Sequence, residues 1–218
     1  MHGYLSSGDS FAGIKNLLQR DFEVFCPDLK GFGKNADMPY PYSLSDYVSE
    51  IGEYIDKNGL RNPHVIGHSF GGRIAIKAAA ESPELFDKIV LCDAAGLKPR
   101  FSLRRAVKKA RFRAIKRFFP NKKTDKFYSA DYLAVTGVMR ESFKLIVEEN
   151  LDGVLDKIEN ETLIIYGKND KETPIYMAKR LYRGIKNSEI KIIDGAGHFS
   201  FIDKPFTFYG EVKGFLQR

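Results

Sequence analysis

An apolar run that leads directly into a glycine-flanked serine constrains this chain more than any other feature. Residues 65–75 read Val-Ile-Gly-His-Ser-Phe-Gly-Gly-Arg-Ile-Ala, which predicts a short strand, a sharp turn and a helix rich in small residues. A serine at such a turn has a strained backbone, and its hydroxyl projects clear of the sheet. Gly67 and Gly71 flank it because a Cβ atom at either position would collide with the turn or the adjacent strand. Ser69 is therefore the candidate nucleophile.

Short β-rich runs alternate with helical stretches along the chain. The predicted strands cover residues 22–26, 63–67, 88–92, 162–166 and 189–193. The helical patterns cover residues 9–19, 45–57, 70–81, 176–183 and 205–216. Near-continuous Ile, Val and Leu in several strands is typical of strands buried on both faces. Because strands and helices alternate, we predict an α/β fold with a doubly wound, mostly parallel sheet flanked by helices.

One long interval, residues 98–160, contains no strand pattern. An interval of this length within a compact domain is usually a functional insertion. We therefore predict a core formed by residues 1–97 and 161–218, and a helical insertion over 98–160. A second helical run covers about 138–149, and an amphipathic helix over 101–119 should turn its apolar face towards the pocket or the core, with the side chains of Leu103, Val107, Ala110, Ala114 and Phe118.

The formal net charge of +7 is concentrated in one segment of the chain. Residues 100–123 hold eleven Lys and Arg residues and no acidic residue, whereas acidic residues outnumber basic ones in the rest of the chain. This segment is either a solvated helix face or a contact for an anionic membrane surface or ligand, because basic amphipathic helices bind anionic interfaces. Nucleic-acid binding is not expected, since no recognised nucleic-acid-binding motif accompanies the charge.

The two cysteines, Cys26 and Cys92, lie in separate apolar runs. A disulfide framework is therefore excluded, and reduced thiols in a cytoplasmic protein are the expectation. The N-terminus has neither the basic nor the apolar region of a secretory signal, and no run of 18 apolar residues exists. No Cys and His cluster has the spacing of a zinc site, so we expect no metal and no organic cofactor.

A serine nucleophile needs a base and an acid that orients it. His198 follows the last predicted strand in a glycine-flanked loop, where a base could reach Ser69. The acid should follow the preceding strand, and Asp170 occupies that position. Asp93, just after the third predicted strand, is the main rival for this role, and Asp194 is a weaker one. The chain order Ser, Asp, His is the one expected for this strand-and-helix architecture.

Five motifs in order resemble those of the α/β-hydrolase superfamily, and together they cover nearly the whole chain. They are His-Gly-Tyr at 2–4, Asp-Leu-Lys-Gly-Phe-Gly-Lys at 28–34, Gly-His-Ser-Phe-Gly at 67–71, Gly-Lys-Asn-Asp at 167–170 and Gly-Ala-Gly-His at 195–198. The resemblance implies an α/β-hydrolase fold, shortened at its N-terminus, in which residues 98–160 form a lid over the pocket.

The same resemblance assigns roles to individual residues. Ser69 would be the nucleophile, His198 the base and Asp170 the acid that orients it, while the backbone N–H groups of Tyr4 and Phe70 would form the oxyanion hole. The substrate would be a small acyl ester. Thioesterase, carbon–carbon-bond hydrolase, acyltransferase and lyase activities stay open because the same triad serves them all. A hypothesis of a different class is a ligand-binding scaffold with little catalysis, since fold alone does not guarantee activity.

The resemblance also raises a question about the sheet. The family pattern has an apolar strand immediately before His-Gly, between the strand equivalent to 22–26 and the strand that carries Ser69, and only Met1 precedes His2 here. An empty slot would leave buried backbone groups unpaired, at roughly 1–3 kcal/mol each. The expected solutions are a segment upstream of this chain, direct pairing of the flanking strands, or a homodimer through the unpaired strands. In each case we expect Tyr4 to lose its fixed position and esterase activity to be weak.

Overall fold

The computed structural model of the protein describes residues 1–118 and 125–218. Within them lies a four-stranded, fully parallel sheet with the strand order β1-β2-β3-β4. The strands are β1 Val65–His68, β2 Ile89–Cys92, β3 Thr162–Gly167 and β4 Ser188–Ile193. Because parallel strands need a crossover connection, helical segments separate each strand from the next, and all four carboxyl ends meet at one edge of the sheet.

The helices follow the predicted pattern closely. They are α1 Ala12–Leu18, α2 Leu44–Lys57, α3 Phe70–Glu81, α4 Leu103–Phe118, α5 Ala130–Ala134, α6 Gly137–Glu148, α7 Ile175–Gly184, α8 Ser200–Asp203 and α9 Pro205–Leu216. Helix α2 begins at a capping box, since Ser43 Oγ accepts from the Asp46 N–H and the Asp46 carboxylate accepts from the Ser43 N–H. No helix in the described ranges combines the length and the hydropathy needed to cross a lipid bilayer.

Side chains pack against both faces of the sheet. Successive residues of β3 point to opposite faces. Ile164 belongs to the core cluster that includes residues of α2, α3 and α7, while Leu163 and Ile165 belong to the cluster that includes residues of α1, α8 and α9. All six residues of β3 are buried, and so are all four of β2. The predicted doubly wound parallel sheet is therefore confirmed, with its core on both sides of the central strands.

The strand predicted at residues 22–26 does not form. A cleft of about 380 Å³ lies between residues 22–27 and β1, and apolar side chains such as Phe22, Val24 and Ile66 line most of it. An extended segment becomes part of a sheet only when a neighbour lies about 4.8 Å away to pair with its backbone. The prediction was wrong because the apolar pattern is present in this segment but its pairing partner is not.

Met1 occupies one end of this cleft and extends the sheet by a single residue. Its α-amino group donates to Ile66 O at 2.7 Å, and the His68 N–H donates to Met1 O at 3.0 Å. These two bonds match the pattern of a parallel strand pair. The flanking strands have therefore not closed up against each other, and direct pairing between them is not the solution that the structure shows.

The two helices predicted in the 98–160 interval both form, but only the second packs well. Helix α6 buries Ser142 and Ile146. Helix α4 instead leaves its apolar face in solvent, with Leu103 71% and Phe118 69% exposed, so the expectation that this face points to the pocket or the core is wrong. Its alanines offer little apolar area, and docking them would desolvate the neighbouring Lys and Arg side chains. Phe119 and Pro120, the expected end of α4, lie outside the described residues.

Candidate active site

Ser69 stands at the end of β1, at the turn into α3. Its backbone has φ +48° and ψ −107°, which is strained for a residue with a side chain. The Ser69 N–H donates to Cys92 O at 3.0 Å, which holds the turn against β2. A Cβ atom on Gly67 would lie 2.6 Å from Gly71 O, and one on Gly71 would collide with the Met1 backbone. The glycines on either side of Ser69 are therefore required by close backbone packing, as the sequence pattern predicts.

The candidate acid and the candidate base meet at the carboxyl ends of β3 and β4. Asp170 follows β3, His198 follows β4, and Asp170 Oδ2 lies 2.9 Å from His198 Nδ1. Thr173 Oγ1 also donates to Asp170 Oδ2 at 2.6 Å, while the N–H groups of Glu172 and Thr173 donate to Asp170 Oδ1 at 2.8 and 3.0 Å. This carboxylate is fully buried and held from several directions, so its orientation towards the imidazole is fixed before any substrate arrives.

Asp170 and His198 each shift the pKa of the other towards its charged form. Burial alone would raise the pKa of Asp170, but the hydrogen bonds from His198 and Thr173 outweigh it and lower that pKa. Burial alone would lower the pKa of His198, but the hydrogen bond and negative charge of Asp170, with a contribution from Glu172, raise it. Asp170 is thus held as a carboxylate that favours the imidazolium form of His198, which is the form produced when His198 accepts a proton.

The rival acid Asp93 has a different task. It follows β2 and is fully buried with φ +45°. Its Oδ1 accepts from the Gly167 N–H at 2.8 Å, and its Oδ2 accepts from the N–H and the hydroxyl of Ser200 at 3.2 and 2.6 Å. Burial raises the pKa of Asp93 to about 6, against the hydrogen bonds that favour its charged form. Asp93 therefore ties the end of β3 to the start of α8, two residues after His198.

The other candidate, Asp194, is exposed and pairs with Lys168 at 2.7 Å. The structure thus selects Asp170 over both rivals as the partner of His198. Sequence reasoning did not identify Thr173 or Ser200 as part of the site. A hydroxyl three residues after the acid was the available signal for Thr173, since Ser and Thr side chains often close short turns. No comparable signal pointed to Ser200.

The ring of His68 links the nucleophile turn to the base. The His68 and His198 ring centroids lie 5.0 Å apart, and His68 Nε2 donates to His198 O at 2.8 Å. Burial lowers the pKa of His68 to about 3, so it is neutral at ordinary pH. Ser69 and His198 therefore belong to neighbouring loops. In the described part of the chain no hydrogen bond joins Ser69 Oγ to His198, and His198 Nε2 instead lies 3.3 Å from Glu172 Oε2.

The segment predicted to form the oxyanion hole lies beside Ser69. A Cβ atom on Gly3 would be 3.5 Å from Ser69 Cβ, and the Gly71 N–H donates to His2 O at 3.0 Å. His2 Nε2 in turn accepts from the Leu29 N–H at 3.0 Å. Residues 2 and 3 are therefore held in place, and the expectation that Tyr4, which follows them, loses its fixed position is not what the structure shows.

Aromatic packing holds Tyr4 further. Its ring contacts those of Phe32, Phe70 and Phe143 with centroids 5.0 to 5.7 Å away, and its hydroxyl donates to Met139 O at 3.3 Å. Phe70 itself is the first residue of α3, so its N–H belongs to the free donors at a helix N-terminus. Within the described residues, no group of three or more His, Cys, Asp or Glu side chains is arranged to hold a metal ion.

These features define a class of protein. A family model described as alpha/beta hydrolase fold matches residues 1–118, more than half of the chain, and the protein belongs to this family. A curated relative, the "Uncharacterized hydrolase YugF" of Bacillus subtilis (strain 168), is 26% identical over 255 residues, covering 100% of this chain and 88% of its own length.

Solved structures share the same fold. An esterase from Exiguobacterium antarcticum superposes with a TM-score of 0.79 at 23% identity, covering 100% of this chain and 90% of that chain. A meta-cleavage product hydrolase from Pseudomonas fluorescens IP01 gives a TM-score of 0.75 at 22% identity, covering 99% and 87%. The curated relative is named as a hydrolase, and together with the family match it supports an enzyme of the hydrolase class.

Proposed function

We propose that this protein is a serine hydrolase of small acyl esters that works through Ser69, His198 and Asp170. The observation that carries the proposal is the 2.9 Å hydrogen bond between the buried Asp170 carboxylate and His198, at the same sheet edge as the strained Ser69 turn. A buried carboxylate on Nδ1 sets the tautomer of the imidazole, so that Nε2 is available as a base, and stabilises the imidazolium that forms later.

Catalysis would begin with attack of Ser69 Oγ on the acyl carbonyl carbon, while His198 Nε2 takes the hydroxyl proton. The new oxyanion would be held by the backbone N–H groups of Tyr4 and Phe70, and the helix dipole of α3 would add to this stabilisation. As the tetrahedral intermediate collapses, His198 returns the proton to the leaving alcohol and Ser69 keeps the acyl group. Water, activated by His198 in the same way, then releases the acid and restores Ser69.

A panel of p-nitrophenyl esters of increasing acyl length tests this proposal. We expect the wild type to hydrolyse the shorter esters and Ser69→Ala to lose several orders of magnitude in kcat/KM. Ser45→Ala, which removes an exposed serine from α2, is the matched control and should retain activity. Matching thioester and carbon–carbon-bond substrates in the panel separate the esterase from the other activities that the same triad could serve.

A fluorophosphonate probe separates the enzyme from a non-catalytic scaffold. Labelling of the wild type at Ser69, and none in Ser69→Ala, supports the hydrolase. Folded wild-type protein that remains unlabelled at high probe concentration would favour the ligand-binding scaffold instead.

The exposed apolar face of α4 favours a second role for the insertion, namely contact with an anionic membrane surface. Helix α4 lies within the basic segment 100–123, and three of its apolar side chains are at least half exposed, those of Leu103, Val107 and Phe118. Apolar side chains flanked by Lys and Arg bind the interface of anionic lipid. Co-sedimentation with vesicles should therefore need anionic lipid and weaken as salt rises. Equal binding to neutral vesicles, or none to any vesicle, would leave α4 as a solvated helix.

A further inference from the structure

The candidate base His198 is contacted by two carboxylates, one at each ring nitrogen. Asp170 Oδ2 lies 2.9 Å from Nδ1, and Glu172 Oε2 lies 3.3 Å from Nε2. Nε2 is the atom that must accept the proton of Ser69. The second carboxylate therefore occupies the hydrogen-bonding position that the nucleophile needs.

The two carboxylates differ in how firmly they are held. Both belong to the loop between β3 and α7, and the Glu172 N–H donates to Asp170 Oδ1 at 2.8 Å, which turns the loop so that both side chains reach one imidazole. The Asp170 side chain is fully buried, whereas that of Glu172 is 71% exposed. Asp170 is thus a fixed partner, and Glu172 can leave for water at little cost because exposed ion pairs are weak.

We propose that Glu172 is a positioning residue that holds His198 in a resting state. In that state Nδ1–H donates to Asp170 and Nε2–H donates to Glu172. His198 becomes a base when Nε2 gives its proton to water and Glu172 moves away, which frees the Nε2 lone pair for the Ser69 hydroxyl. This inference rests on the proposed hydrolase function, because it concerns the proton acceptor of that reaction.

The charges around the ring set the direction of the effect. The groups that face His198 are Asp170, Glu172, the more distant Asp93 and the neutral His68, and the net result is a raised His198 pKa. Removing the charge of Glu172 leaves the other groups in place. The pKa of His198 should then fall, and more of the enzyme should hold an unprotonated Nε2 at acidic pH.

Glu172→Gln tests the proposal, with Glu84→Gln, an exposed glutamate on another part of the surface, as a control that makes the same change in net charge. On a short p-nitrophenyl ester, we expect kcat/KM of Glu172→Gln to rise about two- to fivefold below the pKa of His198. Its acid limb should move to lower pH, and Glu84→Gln should match the wild type. Glu172→Asp has a shorter side chain that keeps the charge, so its kcat/KM at acidic pH should lie between those of the wild type and Glu172→Gln.

An NMR titration of the His198 ring in the resting protein gives a readout that does not depend on hydrolysis. A lower His198 pKa in Glu172→Gln, but not in Glu84→Gln, supports the contact even if no ester is hydrolysed, in which case the proposed function fails and the contact stands. Active enzyme whose pH profile and His198 titration are the same in wild type and Glu172→Gln would overturn the role of Glu172.

Discussion

The carboxyl edge of the sheet and the outer edge of β1 differ in which groups provide the hydrogen-bond partners of buried polar groups. At the carboxyl edge, side chains supply the partners, with Asp93 accepting from Gly167 and Ser200 and Asp170 accepting from Thr173 and His198. At the outer edge of β1, the backbone needs a neighbouring strand and receives one residue, Met1, beyond which lies an apolar cleft of about 380 Å³.

Under the proposed function, this difference separates the residues that affect the reaction rate from those that affect the stability of the fold. The carboxyl edge has converging, charged and well-satisfied groups, which is the arrangement expected of a preorganised site. The β1 edge has partly buried apolar side chains such as Phe22, Val24 and Ile66, and no side chain can substitute for a row of backbone partners. Changes at the first edge should therefore act mainly on rate, and changes at the second mainly on stability.

The largest expected effect is at the carboxyl edge. Asp170→Asn should reduce kcat/KM by roughly 10⁴-fold, because it favours the wrong tautomer of His198. His198→Ala should cost at least as much, and the Ser69→Ala/His198→Ala double variant should cost no more than either single change, since the triad acts as a unit.

Asp93→Asn distinguishes the two acids in the same assay. It should cost far less activity than Asp170→Asn, because Asp93 binds Gly167 and Ser200 rather than the imidazole. Loss of turnover in Asp93→Asn, with activity retained in Asp170→Asn, would reverse the assignment.

A matched pair of isoleucines compares the stability of the two regions. Ile165 in β3 is fully buried, whereas Ile66 in β1 is half-buried and lines the cleft. Ile165→Ala should lower the free energy of unfolding by about 2–5 kcal/mol, because it leaves a cavity in a closed core. Ile66→Ala should cost clearly less, and denaturant unfolding of both variants measures the difference. Equal losses would mean that the cleft is as well packed as the core.

The last expected effect concerns the pH dependence of stability at the Met1 amino group. Burial lowers its pKa from 8.0 to about 6. Between these values the unfolded chain binds a proton that the folded chain does not, so stability is highest above pH 8 and falls as the pH drops towards 6. At about 1.36 kcal/mol per pH unit, the loss approaches about 3 kcal/mol.

Peptide extensions ahead of Met1 test the pH dependence of stability, and they also test whether the cleft beside β1 accepts a strand. A short Gly/Ser extension turns the Met1 amine into an amide. It should remove the pH dependence of stability without otherwise raising Tm. An apolar, strand-forming extension should remove it and also raise Tm, because it can pair with β1 and fill the cleft. Thermal unfolding from pH 6 to pH 8 gives the comparison. Identical Tm values for the two extensions would show that the cleft does not accept a strand.

Much of the fold could be predicted because its signals are local. Helices α3 and α9 begin and end where periodicity and the flanking turns place them, and four of the five predicted strands form within two residues of the expected bounds. The strand predicted at 22–26 and the buried face of α4 could not be predicted correctly, since both depend on a partner elsewhere in the molecule. An apolar pattern indicates which face would be buried, but it does not supply the surface that buries it.

Local sequence is sufficient to predict the strained turn at Ser69, its required glycines, and the order in which the serine, the aspartate and the histidine follow their strands. These depend on backbone preferences and spacing over a few residues. Contacts between distant loops place Asp170 rather than Asp93 against His198, direct Asp93 to Ser200, and bring Glu172 to Nε2 of His198. The acids follow adjacent parallel strands and look alike in sequence, and their roles are set by side-chain directions and distances between loops far apart along the chain.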